Sequence, residues 1–76
     1  MTTTKVHTGP GIRIILNGEI TETSARTLAE LIEDIGYAGA RIATALNGVF
    51  VAAHARAESL LRGGDEVEIV APRQGG

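Results

Sequence analysis

The chain has 76 residues, of which 43% are hydrophobic and 21% are charged, a composition typical of one small folded domain. The formal net charge of -2 and the scarcity of aromatic residues argue against nucleic-acid binding, and the lack of cysteine excludes disulfides and thiolate metal sites. With two histidines and no long apolar run, we expect no metal site, no membrane span and no signal peptide, and the cytoplasm is the expected compartment.

The chain divides into three parts. Residues 1–11 are rich in threonine and glycine without helical or strand periodicity, so we interpret them as a disordered leader. Residues 12–71 form the expected folded domain. Pro72 removes a ladder donor and should end the last strand, which leaves residues 72–76 as a flexible functional tail.

The first predicted element of the domain is a β-hairpin. Residues 12–16 are a β-branched run, and Asn17-Gly18 is a strong turn signal because both residues tolerate the positive φ of a type I′ turn. Residues 19–23 should return antiparallel. Strand alternation places three aliphatic residues of the first strand on the inner face and leaves Ile15 on the outer face.

A helix is predicted over residues 27–35. Thr27 followed by Glu30 fits a capping box, and Gly36 can adopt the left-handed conformation that ends a helix. Apolar residues recur at the spacing of a single helical stripe, which is the pattern of a helix that covers a sheet. The stripe consists of Leu28, Leu31, Ile32 and Ile35.

The second half of the domain repeats the hairpin pattern. Residues 42–46 and 49–51 flank a second Asn-Gly turn, residues 52–61 are an alanine-rich segment with a short helical turn, and residues 67–71 are a final strand. This order predicts an α+β fold with a mixed sheet of about five strands packed on one main helix. It resembles the β-grasp fold of ubiquitin, in which the first and last strands pair at the centre of the sheet.

The sequence gives only weak signs of a group of catalytic side chains. His54 and Glu58 would be neighbours on a helix, but a hydrolase needs a base, an acid and a nucleophile fixed in a pocket, so we interpret them as a surface pair. Residues 63–65 lack the lysine and the long helix of a phosphate-binding loop and should form a tight turn.

The outer face of the sheet is the predicted partner-binding surface. Ile15 and Val70 are both out of phase with the inward residues of central strands, and exposed apolar residues often mark interfaces. The nearby acidic residues Asp65, Glu66 and Glu68 form either a solvated face or a surface for a basic partner.

The C-terminal diglycine is the strongest candidate site. Without Cβ atoms it can pass through a narrow slot, and the carboxylate of Gly76 is ionised at neutral pH and can attack the α-phosphate of ATP. The tail should therefore enter a partner's channel, where Arg73 either pairs with an acidic residue or stays solvated. The channel-entering residues are Pro72, Arg73, Gln74 and Gly75.

Several of these segments together resemble the thiamine-biosynthesis sulfur-carrier family, ThiS. They are residues 12–19, 27–35, 45–48 and 64–70, and the Gln-Gly-Gly ending at residues 74–76. The resemblance implies that an E1-like, ThiF-type enzyme uses ATP to adenylate Gly76. A desulfurase or rhodanese-type protein then supplies sulfur for a thiocarboxylate, and a ThiG-type thiazole synthase consumes it. The chain would be a co-substrate without a bound cofactor, not an enzyme.

Three alternatives stay open at this point. The molybdopterin-synthase small subunit shares the fold, the Gly-Asp-Glu-Val turn and the diglycine end, although residues 17–19 and 74–76 favour the thiamine carrier. A ubiquitin-like modifier would conjugate Gly76 to lysines. An interaction module would have an incidental diglycine, so that removal of Gly76 would change nothing.

Overall fold

The computed structural model describes residues 9–71, which form five strands and two helices. The predicted order of elements is confirmed, with strand boundaries that differ by at most one residue. The elements are β1 (Ile12–Leu16), β2 (Glu19–Thr23), α1 (Leu28–Asp34), β3 (Ala43–Leu46), β4 (Val49–Val51), a 3-10 helix (Ala53–Glu58) and β5 (Glu66–Val70). No helix in this part of the chain combines the length and the apolar character needed to cross a membrane.

The five strands form one mixed sheet in the order β2-β1-β5-β3-β4. β5 is its central strand and pairs parallel with β1 and antiparallel with β3. The two remaining pairs, β1 with β2 and β3 with β4, are the predicted antiparallel hairpins. The expectation that the first and last strands lie side by side is thus confirmed.

The core lies between one face of the sheet and α1. Each central strand contributes alternate residues to it, as the period of two requires, and α1 contributes one apolar stripe. In β5 the inward residues are Val67 and Ile69, and Glu66, Glu68 and Val70 face outward. The buried apolar set is Ile14, Ala25, Leu28, Leu31, Ile32, Val51, Leu61, Val67 and Ile69.

The N-terminus of α1 has the predicted cap with one difference. The Thr27 hydroxyl accepts a hydrogen bond from the Glu30 amide at 3.1 Å, as a capping threonine should. The Glu30 carboxylate, however, accepts from the amide of Arg26 at 2.7 Å, one residue before the position that a capping box requires. Thr27 is extended, with φ -129 and ψ 163, as is typical of an N-cap residue, and it also forms an isolated bridge with Leu60.

The C-terminus of α1 corrects the predicted stripe. Gly36 is left-handed with φ 92, its amide bonds to the carbonyl of Glu33, and the Tyr37 amide bonds to the carbonyl of Ile32, which together form a Schellman cap. The helix therefore ends at Asp34, and Ile35 becomes the capping residue. The residue is 37% exposed and is not part of the core, so the prediction that Ile35 belongs to the buried stripe is wrong.

The alanine-rich segment after β4 is a 3-10 helix that is tied to β3 by a polar network. The buried Thr44 hydroxyl donates to the Val51 carbonyl at 2.8 Å and accepts from Nε of Arg56 at 3.0 Å. Nη2 of Arg56 donates to the carbonyl of Ile42 at 2.9 Å. The half-buried guanidinium therefore fixes the 3-10 helix against the second hairpin.

Candidate functional site

The site predicted from sequence begins where β5 ends. β5 pairs with β3 as far as its last residue, Val70, whereas its pairing with β1 ends at Val67. Ala71 is the final described residue. The predicted tail residues Pro72, Arg73, Gln74, Gly75 and Gly76 lie outside the described residues, and their assigned roles stay predictions.

Each Asn-Gly turn contacts β5 through its asparagine. Asn17 and Asn47 have positive φ values of 49 and 52, as the type I′ prediction requires. The amide oxygen of Asn17 accepts from the backbone amide of Ile69 at 2.9 Å, near the end of β5. The amide oxygen of Asn47 accepts from the backbone amide of Glu66 at 2.9 Å, at its start. Both turns are predictable from the sequence, but these contacts are not.

One apolar cluster on the outer face lies on the first hairpin. Ile15 is half-buried and pairs directly with Ile20, which is 73% exposed. Ile20 was not predicted as a surface residue, although a two-residue loop at Asn17-Gly18 already implies that Ile15 and Ile20 are cross-strand neighbours. We name these two residues the first-hairpin cluster.

A second apolar cluster lies on the other side of β5. Val70 is 63% exposed and pairs with Ala43, and Phe50 is 70% exposed and pairs with Ala45. We name these four residues the second-hairpin cluster. The exposure of Phe50 was also not predicted from sequence. Strand alternation indicates it, because the next residue, Val51, points inward.

The structure does not bring Ile15 and Val70 into contact. Ile15 is opposite Glu66, and Val70 is four residues further along β5, which is about 13 Å at the rise of a β-strand. Glu66 and Glu68 occupy the outer face of β5 between them. The predicted patch is thus two apolar clusters separated by an acidic stripe made of Glu66 and Glu68.

The weaker sequence motifs have structural explanations. His54 and Glu58 are both exposed, as predicted. They belong to a 3-10 helix with three residues per turn, however, so a separation of four does not place them on one face and the predicted pairing is wrong. Residues 63–65 form the predicted turn, in which the Asp65 carboxylate accepts from the Arg62 amide at 2.8 Å. Within residues 9–71, no three histidine or acidic side chains converge on a possible metal position.

A cleft of about 290 Å³ lies at the opposite end of the sheet from the end of β5. It is formed by the segments before β1, after β2 and before β5, and it carries two arginines, Arg26 and Arg62. Because β1 and β5 are parallel, both strands run away from this end, and Val70 lies at the other. The cleft is therefore separate from the candidate site.

Comparison with known proteins agrees with this architecture. A crystal structure of the thiamine biosynthesis protein (ThiS) from Geobacter metallireducens matches with a TM-score of 0.71 and 25% sequence identity, over 86% of this chain and 100% of that chain. The mixed sheet with one main helix and a short second helix is thus the predicted β-grasp fold. No curated protein matches the chain.

The sequence model of the ThiS family matches residues 10–76. This match includes all of the described domain after Gly9 and continues through the diglycine. The chain therefore belongs to the ThiS family.

Proposed function

We propose that this protein is the sulfur carrier of thiazole formation in thiamine biosynthesis, acting as a co-substrate and not as an enzyme. The observation that carries the proposal is the match to the ThiS family, which continues through residue 76. The fold supports it, because the tail follows directly from the central strand, whose position is fixed on both sides. The thiamine biosynthesis protein of similar structure supports the same pathway.

The proposed chemistry takes place at the carboxylate of Gly76. An E1-like, ThiF-type enzyme binds ATP, a carboxylate oxygen attacks the α-phosphorus, and pyrophosphate leaves to give an acyl-adenylate. The terminal sulfur of a persulfide on a desulfurase or rhodanese-type protein then attacks the carbonyl carbon and AMP leaves, which gives an acyl disulfide. A thiol reduces this disulfide by attacking the sulfur of the donor protein, so that the thiocarboxylate leaves and a disulfide remains on the donor. The resulting thiocarboxylate gives its sulfur to a ThiG-type thiazole synthase. The chain supplies the acyl group and the docking surface, and the partners supply ATP binding and catalysis.

The outer face of the sheet provides the proposed docking surface. Burial of the two apolar clusters against a partner would contribute free energy of binding. The acidic stripe between them favours a partner with basic residues at the matching position. A partner that covers this face meets the tail at the end of β5, beside Val70. Docking and presentation of the C-terminus are then served by the same strand.

The central experiment measures pyrophosphate release from ATP by the cognate activating enzyme. Deletion of Gly76 moves the carboxylate back by about 3.5 Å, more than catalytic alignment tolerates, so adenylation should nearly vanish. Gly75→Val keeps the length and the terminal carboxylate but adds a β-branched side chain inside the slot, so turnover should fall while binding persists. Adenylation of the deletion variant at the parental rate would rule out the carrier function and favour an interaction module.

An intact mass measurement separates the carrier from a protein modifier. Protein purified from its native host should contain a fraction whose mass exceeds the parent by the difference between one sulfur and one oxygen atom. A modifier would instead give adducts between its C-terminus and lysines of other proteins. Recovery of lysine adducts without the sulfur-containing species would contradict the proposal.

The docking surface is tested with a pair of valine variants. Val70→Asp should weaken binding to the activating enzyme by at least tenfold without unfolding, because Val70 is exposed in the second-hairpin cluster. Val49→Asp is the matched control, since Val49 is 67% exposed but pairs with the inward Leu46 and so lies on the other face. Ile15→Asp tests the first-hairpin cluster. Equal binding by both valine variants would place the interface elsewhere.

A further inference from the structure

The side of β5 that faces β1 loses its strand partner just before the tail. The register Ile15↔Glu66 and Leu16↔Val67 ends because the chain turns at Asn17. The last backbone bond on this side runs from the Asn17 amide to the carbonyl of Val67 at 2.9 Å. In a parallel ladder that continued, the carbonyl of residue 17 would accept the next β5 amide on this side, that of Ile69.

The side chain of Asn17 takes the place of its own carbonyl. With φ at 49, the backbone of Asn17 is left-handed and its carbonyl no longer follows the strand direction. The side-chain oxygen accepts from the Ile69 amide at 2.9 Å instead. The side chain therefore adds one further hydrogen bond to β5 on this side. The bonded residue, Ile69, lies seven residues before Gly76.

Asn47 makes the same substitution at the other end of β5. Its amide donates to the carbonyl of Glu66 at 2.7 Å, and its side-chain oxygen accepts from the Glu66 amide at 2.9 Å, which completes an antiparallel pair. In both turns, the side-chain oxygen of an asparagine thus accepts a backbone amide of β5. Asn47 holds the start of β5, and Asn17 holds the end from which the tail leaves.

We propose that Asn17 is a positioning residue for the reacting C-terminus, because among the described residues its side-chain oxygen makes the last hydrogen bond to β5 on the β1 side. The inference rests on the proposed function. Without this bond, Ile69 and Val70 are held only by β3, so more residues must be ordered when the tail enters a partner's channel. The carboxylate itself is aligned by the partner, so the turnover number should not change.

Glycine variants isolate the side-chain oxygen, since glycine tolerates the positive φ of both turns. With the cognate activating enzyme and ATP, Asn17→Gly should raise KM for the carrier about fivefold, the factor that corresponds to one ordinary hydrogen bond, with kcat unchanged. Asn47→Gly, the matched control, should leave both constants unchanged. Asn17→Asp keeps an acceptor and should restore KM. A KM that rises equally in both glycine variants would overturn the inference.

Amide hydrogen exchange tests the anchoring step without any partner. Asn17→Gly should speed exchange at the Ile69 amide at least fivefold relative to Asn47→Gly. Failure of the wild-type chain to be adenylated would contradict the proposed function and leave this exchange result as the decisive test of Asn17. Equal exchange in both variants would overturn the positioning inference even if adenylation is normal.

Discussion

The two hairpins share the run Leu-Asn-Gly at their turns, yet they stabilise their inner faces differently. Three residues before each asparagine, the first hairpin buries Ile14 and the second buries Thr44. Their cross-strand partners are reversed as well, with Thr21 opposite Ile14 and Val51 opposite Thr44. The same turn sequence therefore specifies the backbone, and the residues around it decide whether the inner face is held by apolar packing or by hydrogen bonds.

The largest expected effect on stability is in the first hairpin, whose inner face is held by apolar packing. Ile14→Ala removes a side chain with no solvent exposure and leaves a cavity between the sheet and α1. The free energy of unfolding should fall by about 3 kcal/mol, measured by urea denaturation. Ile15→Ala on the outer face is the control and should cost well under half as much. Equal losses would mean that the strand faces are not distinguished by burial.

The next largest effect on stability is expected in the second hairpin, whose inner face is held by hydrogen bonds. Thr44→Val keeps the shape but removes the bonds to the Val51 carbonyl and to Nε of Arg56, so we expect a loss of about 2 kcal/mol. Thr21→Val is the same change in the first hairpin, where the hydroxyl bonds only to the exposed carbonyl of Glu19, and should be nearly neutral. A more stable Thr44→Val variant would show that the buried network does not stabilise the domain.

The asparagines themselves should give a smaller difference. The side-chain nitrogen of Asn47 donates to the Asp65 carboxylate at 3.1 Å, so Asn47→Asp replaces a donor by a second carboxylate and should cost about 1 kcal/mol. Asn17→Asp keeps its acceptor oxygen for Ile69 and should cost less than half of that. Both costs are measured by urea denaturation, and equal costs for the two variants would contradict the assigned contacts.

The smallest effect is expected at the ion pair on the outer face of the first hairpin. Nη2 of Arg13 lies 3.1 Å from the Glu22 carboxylate, and both side chains are largely exposed. Surface pairs of this kind contribute about 0.5 kcal/mol or less, so Arg13→Gln should change the urea midpoint only slightly. A loss as large as that of Thr44→Val would show that this strand pair depends on charge.

Much of the backbone was predictable because its signals are local. Asn17-Gly18 and Asn47-Gly48 specify turn type and register within a few residues, and these in turn specify which residues share a face. The contacts of the two asparagines with β5 were not predictable, since the first joins residues 52 positions apart and depends on how the sheet assembles. The predicted pairing of His54 with Glu58 failed because the segment is a 3-10 helix, and the bonds from Arg56 to Ile42 and Thr44 that accompany it cannot be seen in a local pattern.

The candidate site was also predictable only in part. The diglycine and the outward phase of Ile15 and Val70 can be seen in the sequence. The separation of the two apolar clusters by Glu66 and Glu68 cannot, because it depends on the parallel register between β1 and β5. That register joins segments from opposite ends of the chain, and no local pattern encodes it.

The central position of β5 has a consequence for the order of folding. Of the strands in residues 9–71, β5 is synthesised last, and in the sheet order it separates the two hairpins, which do not pair with each other. Its pairing with β1 is the most non-local in the sheet, and such contacts form slowly. A chain cut before residue 66 would be left with two unjoined hairpins and an uncovered core. We therefore expect that damage which removes the tail together with β5 also removes the folded body, so that no tailless domain survives to occupy the partners.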